Sequence, residues 1–323
     1  MLRACMAGYG SLGHMHADNI AGMKDIVLTA VCDPRPEALQ PDPRKKGGFD
    51  VSGARTYGCL RDMLAGEEPD LLLVIAPTCV HEELTVMGLE AGVHVFCEKP
   101  MSLTSGACKN MIDAARRSGK QLMTGQCIRF WPEYVYLQSL IKDKTYGSLK
   151  MLSLERISKY PHWADWFLDS ELSGGAATDL HIHDVDWVRW VLGSPERIGA
   201  AGAYGKTGGI DEACLTLQYP DTAVFVRGSW VSHAPWKMAW EAYFEDATVI
   251  YREGADPSVT VYLPGKETLT PAIPKQNAYV SELEYFASVI RGERANTLCA
   301  PESALEGILL LEKELTLIKG STT

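Results

Sequence analysis

Short apolar runs with little alternation recur through the first part of the chain, at residues 2–7, 26–32, 71–75, 93–96 and 121–124. Each is bounded by Gly, Pro or Asp, the mark of strands buried on both faces. Between them, helical spacing of apolar positions covers residues 14–23, 60–65, 81–91 and 105–118. Strand–helix alternation with short connections predicts a doubly wound α/β fold, a parallel sheet with helices on both faces. Residues 34–53, with prolines at 34, 36, 41 and 43 and a basic cluster, read as loop with at most a short helix.

After residue 125 the pattern changes. Helical spacing covers 132–142 and 176–192. Period-2 segments follow, with tight-turn residues between them: 213–219 and 223–230 around Pro220-Asp221, then 240–244 and 248–252 around Glu245-Asp246. These predict hairpins of an antiparallel sheet. Two more helices are expected at 279–291 and 301–319. The predicted organisation is a doubly wound domain over 1–125 and an α+β domain with an open, mainly antiparallel sheet over 126–323. The C-terminal helix is expected to pack back on the first domain.

Composition narrows the function classes. With 46% hydrophobic and 22% charged residues the chain can bury a core, and its formal net charge is −10. No basic run exceeds Arg44-Lys45-Lys46, so neither nucleic acid nor an anionic membrane is an expected partner. No apolar run approaches the roughly 20 residues of a membrane span, and no signal peptide is read. Nine cysteines without a C-x-x-C pair suit a reduced, cytoplasmic protein.

Gly8-Tyr9-Gly10-Ser11-Leu12-Gly13 is a G-x-G-x-x-G between the first strand and the first helix. Its glycines suit a tight turn, backbone approach to a pyrophosphate and close helix–strand packing, with free N–H groups at the helix start. Asp33 ends the second strand about 20 residues later, where a carboxylate can accept from adenosine ribose hydroxyls. Asp33 favours NAD. Arg35 points to NADP as the alternative if it turns towards a 2′-phosphate, and otherwise reads as a solvated loop arginine.

Two further clusters carry chemistry. Lys99, in Glu98-Lys99-Pro100, stands at the carboxyl end of a parallel strand, the edge where open α/β sheets bind ligands; on these grounds alone a surface lysine before a turn proline is the default reading. Asp179, His183 and Asp186 recur at i, i+4 and i+7, on one face of a helix, where a carboxylate can orient an imidazole for general acid/base work. A solvated polar face is the alternative. No metal site is assigned, because His181 and His183 would share a metal only in an extended segment.

Together these residues resemble the glucose–fructose oxidoreductase/inositol dehydrogenase/MocA-like family of NAD(P)-dependent oxidoreductases. The likeness rests on the Gly8–Gly13 turn, Ala76-Pro77-Thr78 with His81, Glu98-Lys99-Pro100, Gly125 through Arg129-Phe130 to Pro132, and Gly174-Gly175 with Asp179, His183 and Asp186. It implies a Rossmann domain for NAD (NADP the alternative), a second domain that often forms oligomer contacts, and substrate between them. It implies Lys99, Asp179 and His183 as the catalytic set. Cofactor contacts are implied at Gly8, Gly10, Ser11, Leu12, Gly13, Asp33, Arg35, Ala76, Pro77, Thr78, His81, Glu98, Lys99 and Arg129, with Glu98 near the nicotinamide ribose. The family commonly has Gly where His181 stands, and often Asn where Cys127 stands. His181 is therefore either an extra pocket residue or a buried helix histidine.

Tyr160, Trp163 and Trp166 precede the Gly-Gly turn, in the region that borders substrate in the family. Aromatic faces beside polar groups suit a sugar or polyol, and equally a core or a subunit interface. Trp230, His233, Trp236 and Trp240 lean towards an interface. The expected function is hydride transfer between a secondary hydroxyl of a sugar, inositol or related polyol and the nicotinamide, in a homodimer or homotetramer. An NAD-dependent glycosidase and a non-catalytic cofactor-binding sensor are the alternatives.

Overall fold

The computed structural model describes residues 1–40 and 51–320. The elements in chain order are β1 (Leu2–Ala7), α1 (Ser11–Ala21), β2 (Ile26–Cys32), β3 (Arg55–Tyr57), α2 (Leu60–Glu67), β4 (Leu71–Val74), α3 (His81–Glu90), β5 (His94–Glu98), α4 (Ser105–Ser118) and β6 (Leu122–Gly125). They continue with α5 (Pro132–Asp143), β7 (Leu149–Ile157), α6 (Ser170–Ser173), α7 (Ile182–Leu192), β8 (Arg197–Tyr204), β9 (Ile210–Gln218), β10 (Ala223–Ser229), β11 (Lys237–Phe244), β12 (Thr248–Arg252), β13 (Val259–Tyr262), α8 (Ala278–Ile290) and α9 (Pro301–Gly320). The chain divides into two compact units, Met1–Cys127 with Asn277–Leu305, and Ile128–Gln276 with Glu306–Thr323.

The first unit holds a wholly parallel sheet in the order β3-β2-β1-β4-β5-β6. Its central strands carry apolar side chains on both faces, and every residue of β4 and β6 is buried. That is what a sheet covered by helices on either side requires. The order reverses between β1 and β4, and the crevice beyond their carboxyl ends is the ligand position in such folds. Helix α8 belongs to this unit and packs against α1 and β6.

The second unit is built on a seven-stranded sheet in the order β13-β12-β11-β7-β10-β9-β8. Only β7 and β10 pair in parallel; the other neighbours are antiparallel. Strands β9 and β10 alternate between buried and more exposed positions, so one face is covered and the other is open. A π-helical turn, Ala177–His181, lies on β9 and β10 and runs straight into α7. Among the described residues no helix is long and apolar enough to cross a membrane.

The predicted doubly wound domain followed by an α+β domain is the fold observed. Several elements were not expected: the edge strands β3, β8 and β13, and β7 at the centre of the second sheet. Residues 176–192 are not one α-helix but a π-turn followed by α7. Helix α1 begins at Ser11, three residues before the expected start. The unit boundary also differs from a single cut after residue 125, because the chain returns to the first unit at Asn277. The basic run at 44–46 lies outside the described residues.

Candidate functional site

The glycine turn is shaped by its neighbours. Gly8 has φ +96°, and a Cβ there would lie 2.2 Å from the Ile75 carbonyl oxygen at the end of β4. A Cβ on Gly13 would lie 2.5 Å from the Gly8 carbonyl oxygen. Both positions therefore exclude a side chain, the first by conformation as well as by space. Helix α1 starts from Gly10 with no side-chain cap and no acidic residue in its first turn. The N–H groups of Ser11, Leu12 and Gly13 are left for an anion at the positive end of the helix. These features fit a dinucleotide pyrophosphate.

Asp33 is buried beside this turn, and its carboxylate is fully engaged. Oδ2 accepts from the Tyr9 N–H (3.0 Å) and Arg35 Nη2 (2.8 Å); Oδ1 accepts from Arg35 N (3.0 Å) and Nε (2.8 Å). Burial raises its pKa, but the bonds from Arg35 and Tyr9 outweigh that and hold it below the ordinary 3.8. Arg35 is exposed, its side chain 54% accessible, yet it is not free. It forks onto the carboxylate expected to take the ribose, so the ribose hydroxyls would have to share Asp33 with Arg35 or displace it.

Beyond β4, Ala76 and Pro77 are half-buried and Thr78 is buried. His81 ties this turn to the next one: Nε2 lies 2.9 Å from the Ala76 carbonyl oxygen and Nδ1 2.9 Å from that of Pro100. Burial lowers the His81 pKa against the two carbonyls, which favour the doubly protonated ring. Strand β5 ends in Glu98, followed by partly exposed Lys99 and a cis bond to Pro100. Glu98 turns inward. Its Oε1 lies 2.7 Å from His16 Nε2, and its Oε2 accepts from the Lys99 N–H at 3.0 Å. Cys127 is buried, and its side chain is bonded to that of Tyr279.

In the second unit the π-turn and α7 present a narrow choice of groups. From 175 to 188 only Asp179 and His183 are partly exposed; every other residue is buried. Asp186 does not join them. It is buried with Arg129, whose Nε and Nη2 donate to Oδ2 (2.9 Å) and Oδ1 (2.6 Å), and the guanidinium stacks on Trp190. Arg129, expected at the cofactor, is here a buried anchor of α7 through Asp186. Burial raises the Asp186 pKa, with Arg129 opposing it.

His181 is a buried helix histidine. Its Nε2 lies 3.1 and 3.2 Å from the two carboxylate oxygens of Glu314 on α9. Gly228 on β10 makes the space: a Cβ there would lie 2.5 Å from His181 Cβ. Because the segment is helical, the extended arrangement needed for a metal shared by His181 and His183 does not arise. Among the aromatic candidates, Tyr160 packs with Phe167 against Ala176, Leu180 and Trp230. Its hydroxyl accepts from the Lys206 N–H. Trp163 is 57% exposed, and Trp166 stacks on Phe167 at 3.9 Å between ring centroids. Trp230 and Trp240 are core residues, not the interface residues expected. Sequence reasoning missed the buried trio His16, Glu98 and Glu282, for which the one readable signal was a glutamate on the apolar face of α8.

Comparison with known proteins adds the following. Residues 2–126 match the GFO_IDH_MocA model, described as an oxidoreductase family with an NAD-binding Rossmann fold. Residues 134–250 match the GFO/IDH/MocA C-terminal domain. Myo-inositol 2-dehydrogenase of Thermotoga maritima is 29% identical over 232 residues, 70% of this chain and 67% of that protein. D-glucoside 3-dehydrogenase of Escherichia coli is 30% identical over 231 residues, 67% of this chain and 64% of that protein. The matched region thus spans about two thirds of these curated relatives. The WlbA dehydrogenase of Bordetella pertussis, solved with NADH and UDP-GlcNAcA, shares the fold with a TM-score of 0.83 at 21% identity, over 99% of this chain and 96% of that one. The chain belongs to the Gfo/Idh/MocA family of oxidoreductases, and its first unit is that family's NAD-binding Rossmann domain.

Proposed function

We propose that the protein is an NAD(P)-dependent dehydrogenase acting on a secondary hydroxyl of a sugar, inositol or related polyol. The observation that carries this is the selective exposure of Asp179 and His183 in an otherwise buried stretch, within a family whose curated members include an inositol 2-dehydrogenase and a glucoside 3-dehydrogenase. The backbone of Gly8 through Gly13 would hold the pyrophosphate, with Asp33 and Arg35 at the ribose and Ala76-Pro77-Thr78 alongside. The nicotinamide, when bound, supplies the hydride acceptor.

His183 takes the proton of the substrate hydroxyl as the carbon–hydrogen bond breaks. Lys99 holds the same oxygen and offsets the negative charge that grows on it. Asp179 binds substrate and assists the proton's departure through His183. A cation and a base at one oxygen both lower the barrier to its oxidation. Trp163 and Trp166 offer ring faces for the C–H side of a sugar. The open outer face of the second sheet supports a homodimer or homotetramer, and the thiol-rich composition supports a cytoplasmic setting.

The test is the appearance of reduced nicotinamide absorbance when purified protein meets NAD or NADP with a panel of sugars, inositols and sugar acids. Growth of the band with one member fixes the reaction and the substrate class. A flat trace with cofactor bound defeats the reading; cleavage of aryl glycosides would then establish a glycosidase. Lys99→Ala is expected to lower kcat about a hundredfold or more; wild-type turnover would remove Lys99 from the catalytic set.

A further inference from the structure

Glu282 is fully buried on α8, and neither of its carboxylate oxygens has a hydrogen-bond partner among the described residues. One of these oxygens, a Glu98 oxygen and a His16 ring nitrogen lie within 4.8 Å of one another. Each element packed here contributes a group: His16 from α1, Glu98 from β5, Cys127 after β6, and Tyr279 with Glu282 from α8. Among the described residues, no lysine or arginine acts on Glu282; the neighbouring charge is Glu98. Tyr279 lies edge-on to His16 at 5.7 Å, and its hydroxyl is pushed up by Cys127, by burial and by the two glutamates. Two carboxylates and an imidazole in an apolar interior need positive charge for balance.

The bonds already made decide where that charge sits. Glu98 accepts from the Lys99 N–H and lies 2.7 Å from His16 Nε2. With Glu98 as acceptor at both oxygens, His16 Nε2 would carry the hydrogen between them and leave no lone pair there for a metal ion. We propose that Glu282 is a neutral carboxylic acid in the folded protein, and that its proton, held beside ionised Glu98, keeps the Glu98–Lys99 corner in place. Glu282 is a positioning residue. Loss of its proton would set two buried carboxylates against each other, and Glu98 is the one that holds the Lys99 backbone. Burial, then Glu98, push the Glu282 pKa well above the ordinary 4.5, in the same direction.

The sign for stability follows. Above the unfolded value the unfolded chain releases a proton that the folded chain keeps, so folding weakens as pH rises until Glu282 ionises in place. In cofactor-free protein, the folding constant of the wild type relative to Glu282→Gln is expected to fall about tenfold per pH unit over that window. A ratio that stays flat with pH overturns the proposal. Infrared spectra of the wild type at neutral pH should show a protonated-carboxyl band absent from Glu282→Gln. If that variant does not fold, loss of the band from wild type carrying 13C-labelled glutamate at alkaline pH is the equivalent result, and no such band at neutral pH overturns the proposal. Stoichiometric metal in purified protein, lost in His16→Ala, also overturns it.

The positioning role is read by NADH affinity, which should weaken at alkaline pH in the wild type and less so in Glu282→Gln. Equal pH profiles defeat that role. It rests on the reading of Lys99 given above, whereas the unfolding and infrared measurements do not, so the two failures are distinguishable.

Discussion

In the proposed cofactor site Arg35 and the ribose would compete for one carboxylate, and removing Arg35 tests what Asp33 does there. Arg35→Ala is expected to tighten NAD several-fold and weaken NADP about tenfold, the scale of one charge-assisted bond at a partly exposed site. Asp33→Ala is expected to weaken NAD more than NADP. Fluorescence titration of both cofactors checks the pair, and unchanged preferences would mean that neither side chain reaches the ribose. Arg129 behaves differently because both it and Asp186 are buried. Arg129→Met leaves an uncompensated carboxylate inside α7's anchor and should cost about 3–5 kcal/mol in urea unfolding; a loss under about 1 kcal/mol would show Asp186 neutral without it. The glycine turn, Asp33 and the Glu98-Lys99-Pro100 corner were readable because their chemistry is local in sequence. The partners of Arg129, His181 and Glu98 were not, since Asp186, Glu314 and His16 are 57, 133 and 82 residues away. Glu282 was closer to legible: it shares the buried face of α8 with Ala278 and Phe286, where a charged residue is out of place.

Among the elements, the π-turn before α7 is the most consequential departure from the pattern. One extra residue in a turn cannot be read from apolar spacing, and such bulges occur often at functional sites. Here it is fixed by packing: His181 occupies the room over Gly228 and pairs with Glu314. Gly228→Ala should destabilise by about 1–3 kcal/mol through overpacking. His181→Gly should relieve much of that in a double-mutant cycle by thermal unfolding; additive losses would mean that the two positions are independent. Strands with dense branched residues, such as β2, were found at their observed bounds. Strand β8 escaped because its small residues, Gly199, Ala200, Ala201, Gly202 and Ala203, carry little strand preference. Strand β13 has four residues and β3 three. Strand β7 is different: Lys150, Glu155 and Arg156 obscure its alternation, and Arg156 is buried against Asp184 rather than facing solvent.

For the whole molecule, the open face of the second sheet makes a definite prediction. Tyr262, Thr248, Tyr243 and Met151 are register partners across β13, β12, β11 and β7, and Phe225 stands one row away on β10. Tyr262 and Phe225 are 47% and 46% exposed, an apolar surface suited to a second copy of the chain. Phe225→Arg with Tyr243→Arg is expected to shift the light-scattering mass from a dimer or tetramer to a single chain, with the fold retained; an unchanged mass would place the contact elsewhere. The return of the chain to its first unit at Asn277 has a different consequence, in the timing of synthesis. Residues 1–127 leave the ribosome long before α8, which packs on α1 and β6. At about 5–20 residues per second the 149 residues from Ile128 to Gln276 take roughly 7–30 s. During that interval α8 has not been made and cannot cover α1 and β6, and the unit begun first is completed only after every strand of the second has been made.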